Sequence, residues 1–472
     1  MKVTLHTPDG VTQKEFASSL TVSCALKEMG VILPHPCGGK GICGTCRVRA
    51  EGILSPRSEK EKELFGSDTS LRLACTTVIH GSTHLFYNTT QNDCQVESRF
   101  TLDIDGISPL FGTRVGSAID IGTTTVACGV FDLESGKLLR KKTAVNPQYV
   151  YGDNVMTRLE YASQTGVTAL ADVINALVDD FAEGGTVITG NTVMLSFLSR
   201  SSVCGMLTYP FSPPSLFGVT DGNRHLCRCV SAFFGGDALC SLSVCPTDEP
   251  FIMADIGTNG EIALFDGKKY YVASTSAGPC FEGCGITSGV PAVSGAVYKV
   301  SYGENGISYQ TFGCIPAVGI CGSGLCGLVA CLLDTGYIAP DGAMTSPYRL
   351  AENVVLTQKD VRHVQNAKAA VRAGIETLLD VSGMRGKINK IYLAGGFGSS
   401  LDPDDAKRIG LIPDLVTVKL GNAALSGAAS VLLRSENAEK LNRLASECLP
   451  VELGGNDIFA SHFINQMNFG GN

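Results

Sequence analysis

A short segment occurs twice in this chain, and the repetition limits the fold more than any other feature. Ala118-Ile-Asp-Ile-Gly-Thr-Thr-Thr returns as Met253-Ala-Asp-Ile-Gly-Thr-Asn-Gly. The aspartates, Asp120 and Asp255, lie 135 positions apart, which is the scale of a half-domain. Each copy reads as a strand that ends at an acid and reverses through glycine and hydroxyl residues. At such a reversal, exposed N–H groups and threonine hydroxyls can hold phosphate oxygens. The carboxylate can hold Mg²⁺ through water. One copy alone is no more than a tight β-turn. Two at this spacing predict a duplicated fold with one phosphate loop per half, against the alternative of chance likeness. A third element, Lys390-Ile-Tyr-Leu-Ala-Gly-Gly-Phe-Gly-Ser-Ser400, reads as a strand running into Gly395, Gly396 and Gly398. Glycines there let a ligand approach the backbone closely.

The second constraint lies near the N-terminus. Pro36-Cys37-Gly-Gly-Lys-Gly-Ile-Cys43-Gly-Thr-Cys46 has the spacing C-x5-C-x2-C, and Cys75 follows in Arg72-Leu-Ala-Cys-Thr-Thr. Three thiolates on one glycine-rich loop, with a fourth from a distant strand, suit a [2Fe–2S] cluster whose sulfides accept inward-turned N–H groups. Structural zinc is the competing metal, but its sites usually pair cysteines as two short knuckles. Plant-type ferredoxins have four residues in the first gap. The gap of five resembles the adrenodoxin-type ferredoxins. The other fifteen cysteines, among them Cys227, Cys229, Cys280, Cys284, Cys314, Cys321 and Cys326, read as small core fillers. No C-x2-C-x2-C run near the C-terminus supports a further [4Fe–4S] cluster.

The 472 residues exceed one ordinary core and predict two or three domains. Hydrophobic content of 44% with 17% charged residues argues against disorder. A net charge of −8 argues against nucleic acid or anionic membranes as partners, although residues 1–90 alone balance to about +2. Residues 1–87 read as a small β-rich domain: Val3-Thr4-Leu5-His6 as a strand, Pro8-Asp9-Gly10 as a turn, and 18–29 as a helix capped by Ser18 or Ser19. Residues 88–114 read as a linker. Val115–Phe131 reads as a buried hairpin, and 168–183 and 361–380 as helices. In the second helix Val361, Val364, Val371, Ile375 and Leu378 share one face. The uncharged stretch Ile315–Leu333 nearly reaches membrane-spanning length, but its proline and four glycines favour a loop entering a buried helix. The first residues lack an apolar signal region, and nineteen cysteines fit a reducing compartment, so a cytoplasmic location is expected.

The two Asp-Gly-Thr loops with the later Gly-Gly element resemble the superfamily of acetate and sugar kinases, heat-shock ATPases and actin, over roughly residues 115–470. Ferredoxin-like and ATPase-like halves in this order resemble the reductive activators of corrinoid proteins. Six further segments carry that resemblance: Gly190-Asn-Thr-Val-Met194, Pro210-Phe-Ser-Pro213, Gly235-Gly-Asp237, Ser276-Ala-Gly-Pro-Cys-Phe-Glu-Gly283, Gly319-Ile-Cys-Gly-Ser-Gly324 and Leu356-Thr-Gln-Lys-Asp-Val361. The resemblance implies an N-terminal β-grasp ferredoxin-like domain (1–87) and a two-lobed actin-like, ribonuclease-H-like α/β ATPase. The lobes are expected at 115–248 and 249–472. Larger members carry an extra middle domain; with about 25 residues between Tyr87 and Val115, its loss is expected.

The implied activity is ATP-dependent return of one electron from the cluster to Co(II) of a methyltransferase's corrinoid protein, restoring Co(I). An upstream low-potential donor is implied, and a homodimer is among the assemblies open to it. Cys37, Cys43, Cys46 and Cys75 are the implied cluster ligands. Asp120 and Asp255 are the implied acids for Mg²⁺-bound water and phosphate, with Asp237 and Glu282 as candidates to orient water. Gly122, Thr123, Thr124 and Thr125 form one phosphate loop, and Gly257, Thr258 and Asn259 the other. Gly395, Gly396, Phe397 and Gly398, with Gly322 and Ser323, complete the implied ATP site. The rival readings are a ferredoxin-fused kinase of a small acid or sugar, an ATP-gated donor to another low-potential metalloenzyme, and an electron carrier with an inert ATP-sensing module.

Overall fold

The computed structural model describes the chain except residues 9, 32, 34–38, 40, 42–45, 67, 88–105, 153, 305 and 471–472. It divides into two compact units, residues 1–92 with 145–174, and residues 93–144 with 175–472. Residues 145–174, expected within the first lobe, therefore group with the N-terminal unit.

In the N-terminal unit, β1 (Lys2–Thr7), β2 (Gly10–Glu15), β3 (Leu20–Thr21), β4 (Arg47–Leu54), β5 (Leu71–Leu73) and β6 (Val78–Phe86) form one mixed sheet. Its order is β2-β1-β6-β4-β5, with β1 parallel to β6 and β3 beside β6. Helix Val22–Glu28 crosses it, and Val3, Leu5, Val22, Leu26, Leu73, Ile79 and Leu85 form the buried core. This is the expected β-grasp arrangement. The helix cap differs from expectation. Leu20 and Thr21 are held extended against Ile79 and Val78, so Thr21 rather than Ser18 or Ser19 accepts the Cys24 N–H.

One buried carboxylate organises the far end of this sheet. Glu61 Oε1 accepts from Arg72 Nε (2.9 Å), the Leu73 N–H (2.9 Å) and the Thr77 hydroxyl (3.0 Å), while Oε2 accepts the Ser58 N–H (2.8 Å). Glu61 thus ties together both flanks of the turn that carries Cys75.

The second unit contains the duplication. The first six-stranded sheet comprises β7 (Val115–Ile121), β8 (Thr125–Asp132), β9 (Leu138–Val145), β10 (Gly185–Gly190), β11 (Val219–Asp221) and β12 (Arg224–Leu226). The second begins with β13 (Phe251–Ile256), β14 (Gly260–Phe265) and β15 (Tyr270–Thr275). Between its segments come a three-stranded sheet, β16 (Ala296–Gly303), β17 (Gly306–Thr311) and β18 (Gly319–Ile320), and the hairpin β19 (Tyr348–Ala351) and β20 (Val354–Leu356). It closes with β21 (Lys390–Ala394), β22 (Val416–Gly421) and β23 (Cys448–Pro450). The order β9-β8-β7-β10-β12 matches β15-β14-β13-β21-β22, with antiparallel hairpins beside parallel strands in both. Helix Ala423–Leu433, which follows the second set, packs on β7 and β10 of the first and on helix Gly236–Ser243. A shared core that includes Phe131, Phe234, Phe251, Tyr392 and Leu432 binds the halves together.

Helices form at Thr168–Phe181 and Gln358–Ser382, and the five apolar residues named for the latter are fully buried. Ile315–Leu333 becomes a loop, β18 and the buried helix Gly322–Asp334. Among the described residues no helix is long and apolar enough to cross a membrane. Among the described residues ten of the other cysteines are buried, including Cys227, Cys229, Cys280, Cys321 and Cys326; Cys284 is half-buried, and Cys314 is exposed and so fills no core.

Glu61→Ala leaves Arg72 buried without its partner and is expected to cost roughly 3–5 kcal/mol of N-terminal stability. Burial alone would raise the Glu61 pKa, but Arg72 and the N–H donors hold it down at about 2. Its stabilisation is therefore present above the ordinary glutamate pKa and is lost as pH falls toward 2. Chemical denaturation of the full chain from pH 7 to 3 checks both; equal midpoints in wild type and variant at pH 7 would refute the role.

Candidate functional site

The cluster-side cysteines are placed by backbone pairing. Arg47 pairs with Leu73 in the β4–β5 ladder, and one step on the Ala74 N–H donates to the Cys46 carbonyl (3.0 Å). This brings Cys46 Sγ within 3.2 Å of Cys75 Sγ, with both thiols free of a disulfide. The hydrogen bond between them lowers the Cys46 pKa, burial opposes it, and the result is about 7. A thiol so close to ionisation suits a metal ligand. Gly39 and Gly41 have φ of 79° and 70°, and a Cβ on Gly41 would lie 2.6 Å from Thr76. Gly41 therefore lies close against Thr76, the residue after Cys75. Cys37 and Cys43 lie outside the described residues.

The duplicated hairpins build the second site. In the first, the Gly122 N–H donates to the Thr125 carbonyl (3.0 Å) and closes a turn that carries Thr123 and Thr124. In the second, the Gly257 N–H donates to the Asn259 carbonyl (2.8 Å) and closes a turn that is one residue shorter. A single side chain joins the turns. Glu282 Oε2 accepts from the hydroxyls of Thr124 (2.7 Å) and Thr258 (2.9 Å), and Oε1 accepts the Thr258 N–H (3.1 Å).

Asp120, Asp237 and Asp255 are each half-buried nearby. Burial, then Asp237 and Asp255, push the Asp120 pKa well above the carboxylate range. Burial and Asp255 push Asp237 up to about 7, and burial pushes Asp255 to about 6. Asp120 Oδ2 accepts from Asn422 Nδ2 (3.3 Å), whereas Oδ1 is buried with no hydrogen-bond partner among the described residues. A bare buried acceptor among acids fits a cation. Among the described residues no three acids are placed to ligate one ion directly, so contact through water, the habit of Mg²⁺, fits better.

Four participants escape the sequence reading. Glu261 pairs across the hairpin with Asp255, and burial with Asp237 and Asp255 raises its pKa well above the usual range. Ser241 donates to Asp255 Oδ2 (3.3 Å), and Asn191 Nδ2 donates to Thr123 Oγ1 (3.2 Å). Asn422 arrives from 302 residues away. Only Asn191 had a signal, as part of Gly190-Asn-Thr-Val-Met194.

The remaining expected residues surround this centre. A Cβ on Gly395 would fall 2.2 Å from Asp255 Oδ1, and Gly396 beside it is exposed. Phe397 stacks on Phe281 (4.7 Å, 9°), and Gly398 is buried. Gly322 abuts the backbone of the Glu282 turn, since a Cβ there would lie 1.9 Å from the Phe281 carbonyl. Ser323 donates to the Tyr298 carbonyl (3.0 Å).

Fold and site together define a ferredoxin-type domain joined to a domain of the acetate-kinase, sugar-kinase, heat-shock and actin (ASKHA) fold. Three sequence families match: the 2Fe-2S iron-sulfur cluster binding domain over residues 6–80, the RACo middle region over 115–249, and the C-terminal domain of RACo, the ASKHA domain, over 249–471. The corrinoid activation enzyme RamQ of Eubacterium limosum is 31% identical over 419 residues, covering 76% of this chain and 70% of RamQ. A Co(II) methylated amine-specific corrinoid protein reductase of Methanosarcina barkeri is 27% identical over 402 residues, covering 70% and 72%. The solved structure of a reductive activator for a corrinoid, iron-sulfur protein superposes with a TM-score of 0.70 at 26% identity, covering all of this chain and 98% of that one. The chain belongs to the family of reductive activators of corrinoid proteins. The family's middle region is present as residues 115–249, so the expected loss of a middle domain does not extend to it.

With the Asp237 pKa pushed to about 7 and that of Asp255 to about 6, a divalent cation bound beside these acids would displace protons. Mg²⁺-nucleotide affinity is therefore expected to fall as pH drops from 8 to 5, with net proton release on binding. Calorimetry in buffers of different ionisation enthalpy measures this; binding without proton release at pH 6.5 would contradict it.

Proposed function

We propose that this protein is an ATP-dependent reductive activator that returns a corrinoid protein from Co(II) to Co(I). The observation that carries the reading is the acid-floored, doubled hairpin site on the same chain as the paired cysteines Cys46 and Cys75. Cys37, Cys43, Cys46 and Cys75 would hold a [2Fe–2S] cluster. Bound there, such a cluster supplies one electron at low potential, near −400 mV in plant-type relatives. Asp120 and Asp255 would hold Mg²⁺. Thr123, Thr124, Thr125, Thr258 and Asn259 offer donors to phosphate oxygens, and Gly395, Gly396 and Gly398 leave room for the adenosine.

Co(I) is a strong reductant, and each 100 mV of uphill transfer costs about 2.3 kcal/mol per electron. ATP need not touch the electron. Closing the two hairpins on a nucleotide can shift a binding equilibrium by a few kcal/mol, enough to favour a complex whose cobalt is easier to reduce. Hydrolysis then releases the partner. The upstream donor is a low-potential electron carrier, and the location is cytoplasmic.

An anaerobic assay following Co(II) to Co(I) absorption of a corrinoid protein, with and without ATP, tests the proposal. ATP is expected to be required. Asp120→Ala should lower ATP turnover at least ~100-fold while leaving the visible cluster spectrum intact. Unchanged turnover would remove Asp120 from the site, and ATP use only with a small acid or sugar acceptor would favour a kinase.

A further inference from the structure

Glu282 sits where a nucleotide's charge would be expected. Its carboxylate takes three donors at once: the hydroxyls of Thr124 and Thr258 and the N–H of Thr258. One of these comes from the first hairpin turn and two from the second. They are also donors assigned above to phosphate, so the arrangement is an anion-binding pocket occupied by the protein's own anion.

The turn that carries Glu282 is built to deliver it. Pro279–Glu282 is a single 3₁₀ turn between Gly278 and Gly283, whose φ values of 77° and 83° favour glycine. On one side it is backed by Gly322, where any side chain would strike the Phe281 carbonyl. On the other, Phe281 stacks on Phe397 of the Gly395–Ser400 helix, whose first residue lies against Asp255. The carboxylate is thus held by a stiff support linked to the third glycine element. It is not a mobile surface side chain that happened to find a hydroxyl.

We infer that Glu282 is an internal competitor of nucleotide phosphate, bridging the two phosphate turns in the nucleotide-free protein and leaving its three donors when a nucleotide enters. This rests on the nucleotide reading proposed above and adds the residue that sets how strongly the site holds phosphate. A phosphate and a carboxylate cannot share the same donors, because each needs them and the two repel. The ligand must therefore carry enough negative charge to displace Glu282, which makes the residue a filter for phosphate-rich ligands. Displacement also frees Thr124 from Thr258, so occupancy of the site is coupled to the relation between the two hairpins.

The test is calorimetric binding of Mg²⁺-ADP and of a non-hydrolysable Mg²⁺-ATP analogue to the full-length wild type, Glu282→Gln and Glu282→Asp. The glutamine keeps the size and polarity of the side chain but removes its charge; the aspartate shortens its reach. If about 90% of the free protein is in the bridged state, Glu282→Gln should tighten both ligands about tenfold, with a smaller gain for Glu282→Asp. Glu282→Gln should also bind inorganic phosphate where the wild type does not, a readout that loss of mere structural support would not produce. Wild-type binding with equal or weaker affinity in both variants would overturn this inference alone. Failure of all three proteins to bind nucleotide would remove the nucleotide reading together with it.

Discussion

Like charges forced together govern the second unit. Burial raises the pKa values of Asp120, Asp237, Asp255 and Glu261; Asp255 raises Asp237 further, and Asp237 with Asp255 raises Asp120 and Glu261. Two like charges 4 Å apart repel by about 4 kcal/mol at the effective dielectric of a protein surface. The fold tolerates this because the acids stand on strands and a helix whose other faces are packed into a shared core. The tension can be relieved in two ways, by taking up a proton or by taking up a cation. An acidic floor with both responses suits the metal-bound nucleotide proposed above. It also explains the glycines nearby. Gly235 and Gly395 are needed because a Cβ at either would collide with the carboxylate oxygens of Asp237 or Asp255.

The sequence made the frame of this arrangement legible and left much of its chemistry hidden. Asp120 and Asp255 could be read because the chain repeats their neighbourhood, and both halves prove to have the same strand order. Glu261 could not. It follows the second loop at the position that Val126 holds after the first, and nothing about a valine suggests an acid. Asn422 acts across 302 residues, a separation at which a single sequence carries no pairing signal. Glu282 was visible as an acid in a glycine-rich segment, but its bridging contacts depend on how both turns are presented. On the cluster side the spacing of the cysteines was plain, while Glu61, which secures the Cys75 turn, is one of three glutamates in Glu59–Glu63 and nothing in that run marks it as the buried one. The misplaced helix cap has a similar cause: serines are good caps in isolation, and pairing of Leu20 and Thr21 with β6 moved the helix start past them.

The difference between the two hairpins is as informative as their likeness. In the first, Asp120 lies opposite Ala127; in the second, Asp255 lies opposite Glu261. The second turn is one residue shorter, so the register moves by one and the other face of the returning strand meets the aspartate. Had both turns the same length, Glu261 would occupy the face that Val126 occupies and would point away from the acids. The shorter turn therefore adds a second carboxylate to the second half, while the longer turn gives the first half its run of threonine hydroxyls. Duplication alone would produce two equal sites, each attracting phosphate and cation alike. The one-residue difference in turn length breaks that equality, placing a carboxylate opposite Asp255 where the first hairpin places Ala127 opposite Asp120.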